Sequence, residues 1–236
     1  MPSALMILIF VVFLTLIIIG GIYAHKQEQK RIALLTEFAN ELGWQFSPDK
    51  DRTFDSQYPQ FAAFRRGHSR YAHNILRGMT TITPEEGKPV ELPICAGDYH
   101  YRVTSGSGKN RSTRTYRRSY LLIDSPIAGC DLAIRSEHFG DRMAAALGFD
   151  DIDFESVEFS DRFHVKSSDK RFAYDVIHPR MMEFLLDGPT PDLEIGDGVL
   201  CLFGNGSRWE PHEFQMRIDW VCQFFALWPR HVQRTS

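Results

Sequence analysis

Cysteine is scarce in this sequence, whose 236 residues contain only Cys95, Cys130, Cys201 and Cys222. The four are widely spaced and form no Cys-x-x-Cys pair, which argues against a sequence-local zinc site or a redox motif. A chain of this length can build a sufficient hydrophobic core without disulfide bonds. We therefore expect reduced thiols in the core, as is typical of a domain in a reducing compartment.

Motifs of common enzymes are also absent. The nine histidines show neither His-Glu-x-x-His nor His-x-His spacing, and no nucleophile elbow or dinucleotide-binding glycine motif occurs. Residues 105–109, Ser-Gly-Ser-Gly-Lys, lack the spacing and the strand-to-helix context of a phosphate-binding loop. The sequence thus predicts neither a bound cofactor nor a metal ion.

An acidic stretch at residues 150–155 lacks the pattern of a calcium loop. A loop beginning at Asp151 would need glycine at its sixth position and glutamate at its twelfth, where the sequence has Ser156 and Arg162. Apolar and polar residues alternate over residues 150–165, which predicts strand structure with the acidic face in water and a turn near residue 160.

The nearest approach to a catalytic constellation is Cys95, Asp98 and His100, which lie on one predicted strand. Cys95 and Asp98 are three residues apart and therefore point to opposite faces of a regular strand. A nucleophile with its base would need a bulge between them. The alternative is that Cys95 is an ordinary core residue, as buried cysteines commonly are.

Residues 4–23 lack any charge, Asn, Gln or Pro. A helix of that length covers about 30 Å, the thickness of the hydrocarbon core of a bilayer. A cleavable signal peptide would have a basic start, a shorter apolar core and a small-residue cleavage site, and a buried core helix would have a polar face. The run predicts a retained single-pass transmembrane anchor at residues 1–25.

Basic residues follow this anchor and none precedes it. His25, Lys26, Lys30 and Arg31 come directly after the span, with only Glu28 of opposite charge. Basic flanks stay in the cytoplasm, so we expect the N-terminus outside and the large domain inside, at the inner membrane.

Positive charge is concentrated in the middle of the chain. Residues 62–118 hold eleven Lys and Arg against four Asp and Glu, whereas residues 119–236 hold eleven against twenty. The candidate binding residues in a predicted mobile hairpin tip are Lys109, Arg111, Arg114, Arg117 and Arg118. They suit an anionic lipid surface or an acidic protein partner; the alternative is a solvated loop. Nucleic acid is disfavoured because few aromatic residues accompany the basic run.

Periodicity and turn signals predict an α+β domain built on an antiparallel sheet. A juxtamembrane helix at 26–43 is followed by a cytoplasmic domain at 44–236, with a possible subdivision near 136–150. The four predicted helices lie at 26–42, 136–147, 172–187 and 211–228. The predicted strands lie at 61–64, 71–76, 94–104, 119–124, 131–135, 192–195 and 199–203, the last two joined by a turn at Asp197-Gly198.

The pattern of residues 147–165 and 168–185 resembles that of a bacterial protein family of unknown function. The shared positions are packing residues and turns, including Gly148, Phe154, Phe163, Phe172 and Pro179. Members of that family often carry an N-terminal hydrophobic span. The resemblance, which covers mainly residues 145–205, implies membrane attachment and a similar soluble domain, and it brings no catalytic residues.

Two functional hypotheses follow. In the first, a membrane-anchored cytoplasmic domain is a binding or scaffolding module. In the second, it is a membrane-tethered, hydrolase-like enzyme with a site assembled from distant residues, for which Cys95, Asp98 and His100 are the candidates. The spatial arrangement of these three side chains discriminates between the hypotheses.

Overall fold

A computed structural model describes residues 2–84, 88–126, 131–136, 151–188, 192–229 and 232, with side chains from residue 6 onward except that of residue 109. The described residues form an α+β fold of six helices and eight strands. The helices are α1 (Pro2–Leu42), α2 (Phe54–Gln57), α3 (Val157–Arg162), α4 (Lys170–Val176), α5 (Pro179–Asp187) and α6 (Pro211–Ala226). The strands are β1 (Gln45–Ser47), β2 (His68–Ile82), β3 (Val90–Ser105), β4 (Ser112–Asp124), β5 (Leu132–Ser136), β6 (Phe163–Ser167), β7 (Leu193–Gly196) and β8 (Val199–Phe203).

The strands form one antiparallel sheet in the order β1-β2-β3-β4-β8-β7-β5-β6 among the described residues. The long strands β2, β3 and β4 form its centre and extend well beyond the shorter strands that flank them. The predicted antiparallel α+β fold is confirmed. The six described helices exceed the predicted four because short helices give weak periodic signals.

Each face of the sheet carries its own hydrophobic cluster. Helices α1, α4, α5 and α6 cover the first face, where Leu35 and Phe214 are fully buried against strand residues such as Leu121. On the second face, α2 and the 3₁₀ turn Ala62–Arg65 contribute Phe54 and Phe64. Successive residues of one strand therefore serve different clusters, which explains the short continuous apolar stretches at 94–96 in β3 and 120–123 in β4.

Helix α1 continues without a break from the apolar run into the domain. Its first part, residues 6–27, is exposed along its whole circumference, while Leu35, Phe38 and Ala39 are buried against the sheet. It is the one helix within the described part of the chain that is long and apolar enough to cross a membrane. The predicted anchor and the predicted juxtamembrane helix are thus parts of one continuous helix, which is followed by Gly43 at positive φ.

The predicted helix at 172–187 is two helices. Helix α4 ends at Val176, and α5 begins at Pro179 with His178 as its N-cap, whose Nδ1 accepts the Met181 N–H at 3.4 Å. Proline lacks the N–H that would continue the first helix, so the chain restarts there. The prediction of one unbroken helix at 172–187 is wrong.

Two strand predictions are also wrong. Residues 62–65 form a 3₁₀ turn instead of a strand, and β2 begins at His68, so no hairpin joins them. Within 150–165, the strand β6 begins only at Phe163, and α3 precedes it with Ser156 as N-cap. The Ser156 hydroxyl accepts the backbone N–H of Phe159 and thereby favours a helix over the predicted strand. Val157 does not follow the apolar alternation of that strand, since its side chain is 73% exposed.

The basic segment is more ordered than predicted. Strand β4 begins at Ser112 and pairs with β3 as far as Thr104 and Ser105, so the hairpin tip is limited to residues 106–111. Arg114, Arg117 and Arg118 are strand residues, which fixes the face on which each one lies. The predicted helix at 136–147, Cys130 and the possible subdivision near 136–150 fall largely outside the described residues.

Candidate functional site

A buried ion pair joins the membrane-proximal helix to the centre of the sheet. Arg31 of α1 donates to Asp98 of β3 through two nitrogens, with Nε–Oδ2 at 2.6 Å and Nη2–Oδ1 at 2.7 Å. Both side chains are buried, Asp98 completely. Such a bidentate pair fixes both distance and orientation, so it determines where α1 crosses the sheet.

A β-bulge in β2 brings two more polar side chains to this pair. His73 lies opposite Asp98 in the register, and one extra residue of β2 follows before Leu76 lies opposite Ala96. Asn74 adopts a φ of 52° at this bulge, and its Nδ2 donates to Asp98 at 3.0 Å and to Glu28 at 2.9 Å. The bulge turns adjacent residues toward one face, where a regular strand would separate them.

The loop before α6 completes the network. Arg208 donates to Glu28 at 2.7 Å, and the carbonyl of Trp209 accepts from Arg31 at 3.0 Å. Ser119 of β4 donates its hydroxyl to Asp98 at 2.8 Å and accepts the backbone N–H of Trp209 at 2.9 Å. Thus α1, three strands and one loop share a polar network, which we call the docking cluster: Glu28, Arg31, His73, Asn74, Asp98, Ser119, Arg208 and Trp209.

The docking cluster is a poor cation site, although it contains three possible ligands. One atom each of Glu28, His73 and Asp98 lies within 4.8 Å of the others. The carboxylate oxygens, however, already accept from Arg31, Arg208 and Asn74, as described above. Burial lowers the pKa of His73, against the opposing effects of Asp98 and Glu28. The arrangement favours a structural connection between helix and sheet over metal binding.

The three predicted catalytic candidates are not brought together. Asp98 and His100 lie on the α1 face of β3, whereas Cys95 belongs to the hydrophobic cluster of the opposite face. Burial raises the pKa of the Cys95 thiol, against the lowering effects of Arg77 and Tyr120. His100 stacks on Tyr71 with ring centroids 4.4 Å apart, and burial lowers the pKa of its imidazole. No arrangement of nucleophile and base results from these three residues.

The predicted basic residues are divided between the two faces of β4. Arg117 pairs with His100 in the register, and its side chain lies on the α1 face of the sheet, as does that of Ser119 two residues later. Arg118 lies on the other face, donates to the carbonyl of Gly206 and covers the ring of Tyr116 at 5.4 Å. Arg111 and Arg114 are exposed at the end of the hairpin. The five residues therefore do not form a single patch.

The hairpin of β3 and β4 extends toward the exposed end of α1. Glu28 contacts Asn74, and just beyond the C-terminal end of α1 the Trp44 indole donates to the carbonyl of Met79, so α1 and β2 run in the same general direction. The antiparallel partner β3 therefore runs back toward the N-terminal half of α1. From Asp98 to Ser105 the strand covers about 23 Å. From Arg31 to Tyr23 the helix covers about 12 Å, so the strand is long enough for the hairpin tip to extend beyond Arg31 in the direction of the apolar run.

No direct signal for the docking cluster is present in the sequence. Arg31 is interpreted from sequence as a flanking cation and Asp98 as a possible catalytic group, and their separation of 67 positions hides the contact between them. Arg31 lies at helical spacing from Leu35 and Phe38 and so belongs to the apolar stripe of α1. This spacing is the only local indication that Arg31 is buried.

Comparisons with known proteins give one indication of the fold. No family model and no curated protein sequence matches this chain. The structure is similar to the crystal structure of the mycobacterial trehalose monomycolate transport factor A, TtfA, with a TM-score of 0.50. The match covers 84% of this chain and 96% of that chain at 8% sequence identity. At this identity the similarity concerns the fold alone.

Proposed function

We propose that this protein is a single-pass, membrane-anchored binding module whose α+β domain works at the cytoplasmic surface of the bacterial inner membrane. The observation that carries the proposal is helix α1, which is exposed and apolar over residues 6–23 and then docks into the sheet through Arg31. Exposed apolar side chains over such a length are stable in lipid and costly in water. The docking cluster then holds the domain in a fixed orientation relative to the anchor.

The charges that flank the anchor support a cytoplasmic domain. Arg31 is neutralised by Asp98 and so adds little to the flanking charge, but Lys26 and Lys30 are exposed directly after the span. Glu28, the flanking acid, is paired with Arg208. The exposed charge next to the span is therefore positive, which is the pattern of a cytoplasmic flank.

Contact between the hairpin and lipid headgroups is the second part of the proposal. The hairpin extends in the direction of the apolar part of α1, and Arg111, Arg114 and Arg117 are exposed on it. A Lys or Arg close to an anionic leaflet gains about 1 kcal/mol. Two contacts, the anchor and the hairpin tip, would hold one end of the sheet at the membrane and leave the opposite end of the domain accessible to a partner.

The structural neighbour is compatible with this role. TtfA is named as a transport factor for trehalose monomycolate. At 8% sequence identity we extend to this chain the fold alone, and the proposed binding role rests on helix α1 and the docking cluster.

Hydrogen exchange of the full chain in lipid nanodiscs tests the hairpin contact. Amides of residues 105–114 are expected to exchange several-fold more slowly in nanodiscs with anionic lipid than in nanodiscs with zwitterionic lipid alone, because the arginines attract only the former. The double variant Arg111→Ala/Arg114→Ala is expected to remove this difference.

The matched control is Lys170→Ala/Arg171→Ala, which removes two exposed cations at the start of α4. This control should keep the dependence on anionic lipid. Equal exchange of the hairpin in both kinds of nanodisc would contradict the headgroup contact, and so would an equal effect of both double variants.

A further inference from the structure

A small cavity containing three arginines lies on the second face of the sheet. It is enclosed by Arg66 after the 3₁₀ turn, Arg118 of β4 and Arg135 of β5, with Asp192 and Glu194 at β7. Its volume is about 100 Å³. Because a water molecule takes about 30 Å³ in the liquid, the space suits a group the size of a phosphate or carboxylate.

The arginines in this cavity keep hydrogen-bonding capacity. Arg135 pairs with Glu194, but its buried Nη1 has no partner among the described residues. Arg118 donates one nitrogen to Gly206, and a guanidinium carries five N–H donors. Burial raises the pKa of both Asp192 and Glu194, against the lowering effect of Arg135 and Arg66. Three arginines and two carboxylates line the cavity, so its net charge balance favours an anion.

An apolar groove adjoins the cavity where β8 ends. Asp192, Phe203, Gly204 and Asn205 line both spaces. The groove, about 440 Å³, runs along α6 and is lined by Trp209, Trp220 and Met216, the last of these 57% exposed. That volume is within the range of ordinary small-molecule sites. Apolar surface next to half-buried arginines is the complement of a molecule with an anionic head and an apolar chain.

We propose that the arginine cavity and the α6 groove together bind an anionic amphiphile, its phosphate- or carboxylate-type head at Arg66, Arg118 and Arg135 and its chain against Trp209, Trp220 and Met216. A free anion has the same head chemistry but no chain to occupy the groove. The two sources of the head group therefore differ in affinity, which an experiment can measure.

Calorimetric titration of the full chain in zwitterionic nanodiscs tests the site, with the heats of empty nanodiscs subtracted. The probes are octyl phosphate, inorganic phosphate and octanol, all below their aggregation limits. Octyl phosphate is expected to bind at least tenfold more tightly than either other probe, because only it fills both spaces. If inorganic phosphate binds as tightly as octyl phosphate, the groove contributes nothing to the affinity. If octanol binds as tightly as octyl phosphate, the arginines contribute nothing. Either result overturns the proposal.

Matched variants locate the binding. Arg118→Gln and Arg66→Gln are each expected to weaken octyl phosphate about tenfold, the loss typical of a charged hydrogen bond. Arg117→Gln, at a sequence neighbour that does not line the cavity, should change the affinity less than twofold. Met216→Glu should weaken octyl phosphate alone, because it places an anion in the groove. Equal effects of Arg118→Gln and Arg117→Gln would contradict the site.

Discussion

The variant Asp98→Ala is expected to lose about 3–5 kcal/mol of unfolding free energy, because it leaves the Arg31 guanidinium buried without its partner. Asp98 is fully buried and accepts from Arg31, Asn74 and Ser119 at 2.6–3.0 Å. Removing the carboxylate therefore orphans several donors at once, each of which had given up its water. Urea unfolding of the full chain in detergent micelles, followed by tryptophan fluorescence, measures the loss.

A double-mutant cycle separates this pair from general damage. Once Arg31→Met has removed the buried charge, Asp98→Ala should cost much less than it does alone. The matched control is Arg70→Met, which breaks a more exposed pair with Asp55 at 2.8 Å and should cost about 0–1 kcal/mol. Additive effects of the Arg31 and Asp98 substitutions would show that the two residues are not coupled.

The second large effect is expected at Phe64 on the opposite face of the sheet. Its fully buried ring lies 5.0–5.5 Å from the rings of Tyr99, Phe54, Tyr120 and Phe203. Truncation to alanine removes these contacts and leaves a cavity, so Phe64→Ala is expected to lower the unfolding free energy by about 3–5 kcal/mol.

Phe64→Leu, which keeps most of the apolar volume, should cost clearly less than Phe64→Ala in the same unfolding experiment. Val157→Ala provides the surface control, because that side chain is 73% exposed and should change stability by less than about 0.5 kcal/mol. A loss of similar size for Phe64→Ala and Val157→Ala would mean that the second face of the sheet is not a packed core.

Elements with strong local signals were predictable from the sequence. Helix α6 follows apolar residues at helical spacing from Phe214 to Phe225, and the hairpin of β7 and β8 follows the Asp197-Gly198 turn, both at positive φ. The sequence pattern predicts α4 and α5 as one helix, because apolar residues continue at helical spacing from one into the other. Local chemistry determines these elements, so a local interpretation finds most of them.

The docking cluster and the faces of β4 depend on distant contacts. Whether Arg31 flanks a membrane or is buried depends on Asp98, and the bulge at Asn74 is required to bring His73 and Asn74 to one face. Arg117 and Arg118 are adjacent in sequence yet belong to different surfaces once β4 pairs with β3. The hydrophobic periodicity of a single segment does not show which distant segments pair with each other. The sequence therefore identifies some residues of the candidate site but does not show that they lie together.

Protease accessibility of the domain on the two sides of the inner membrane tests anchoring and orientation together. The full chain should remain in the membrane fraction after alkaline carbonate washing. Its domain should be resistant to protease added to intact spheroplasts and digested in inverted vesicles, because the proposed topology places residues 6–23 across the bilayer and Lys26 and Lys30 in the cytoplasm. Release by carbonate would contradict the anchor, and digestion in intact spheroplasts would contradict the proposed orientation.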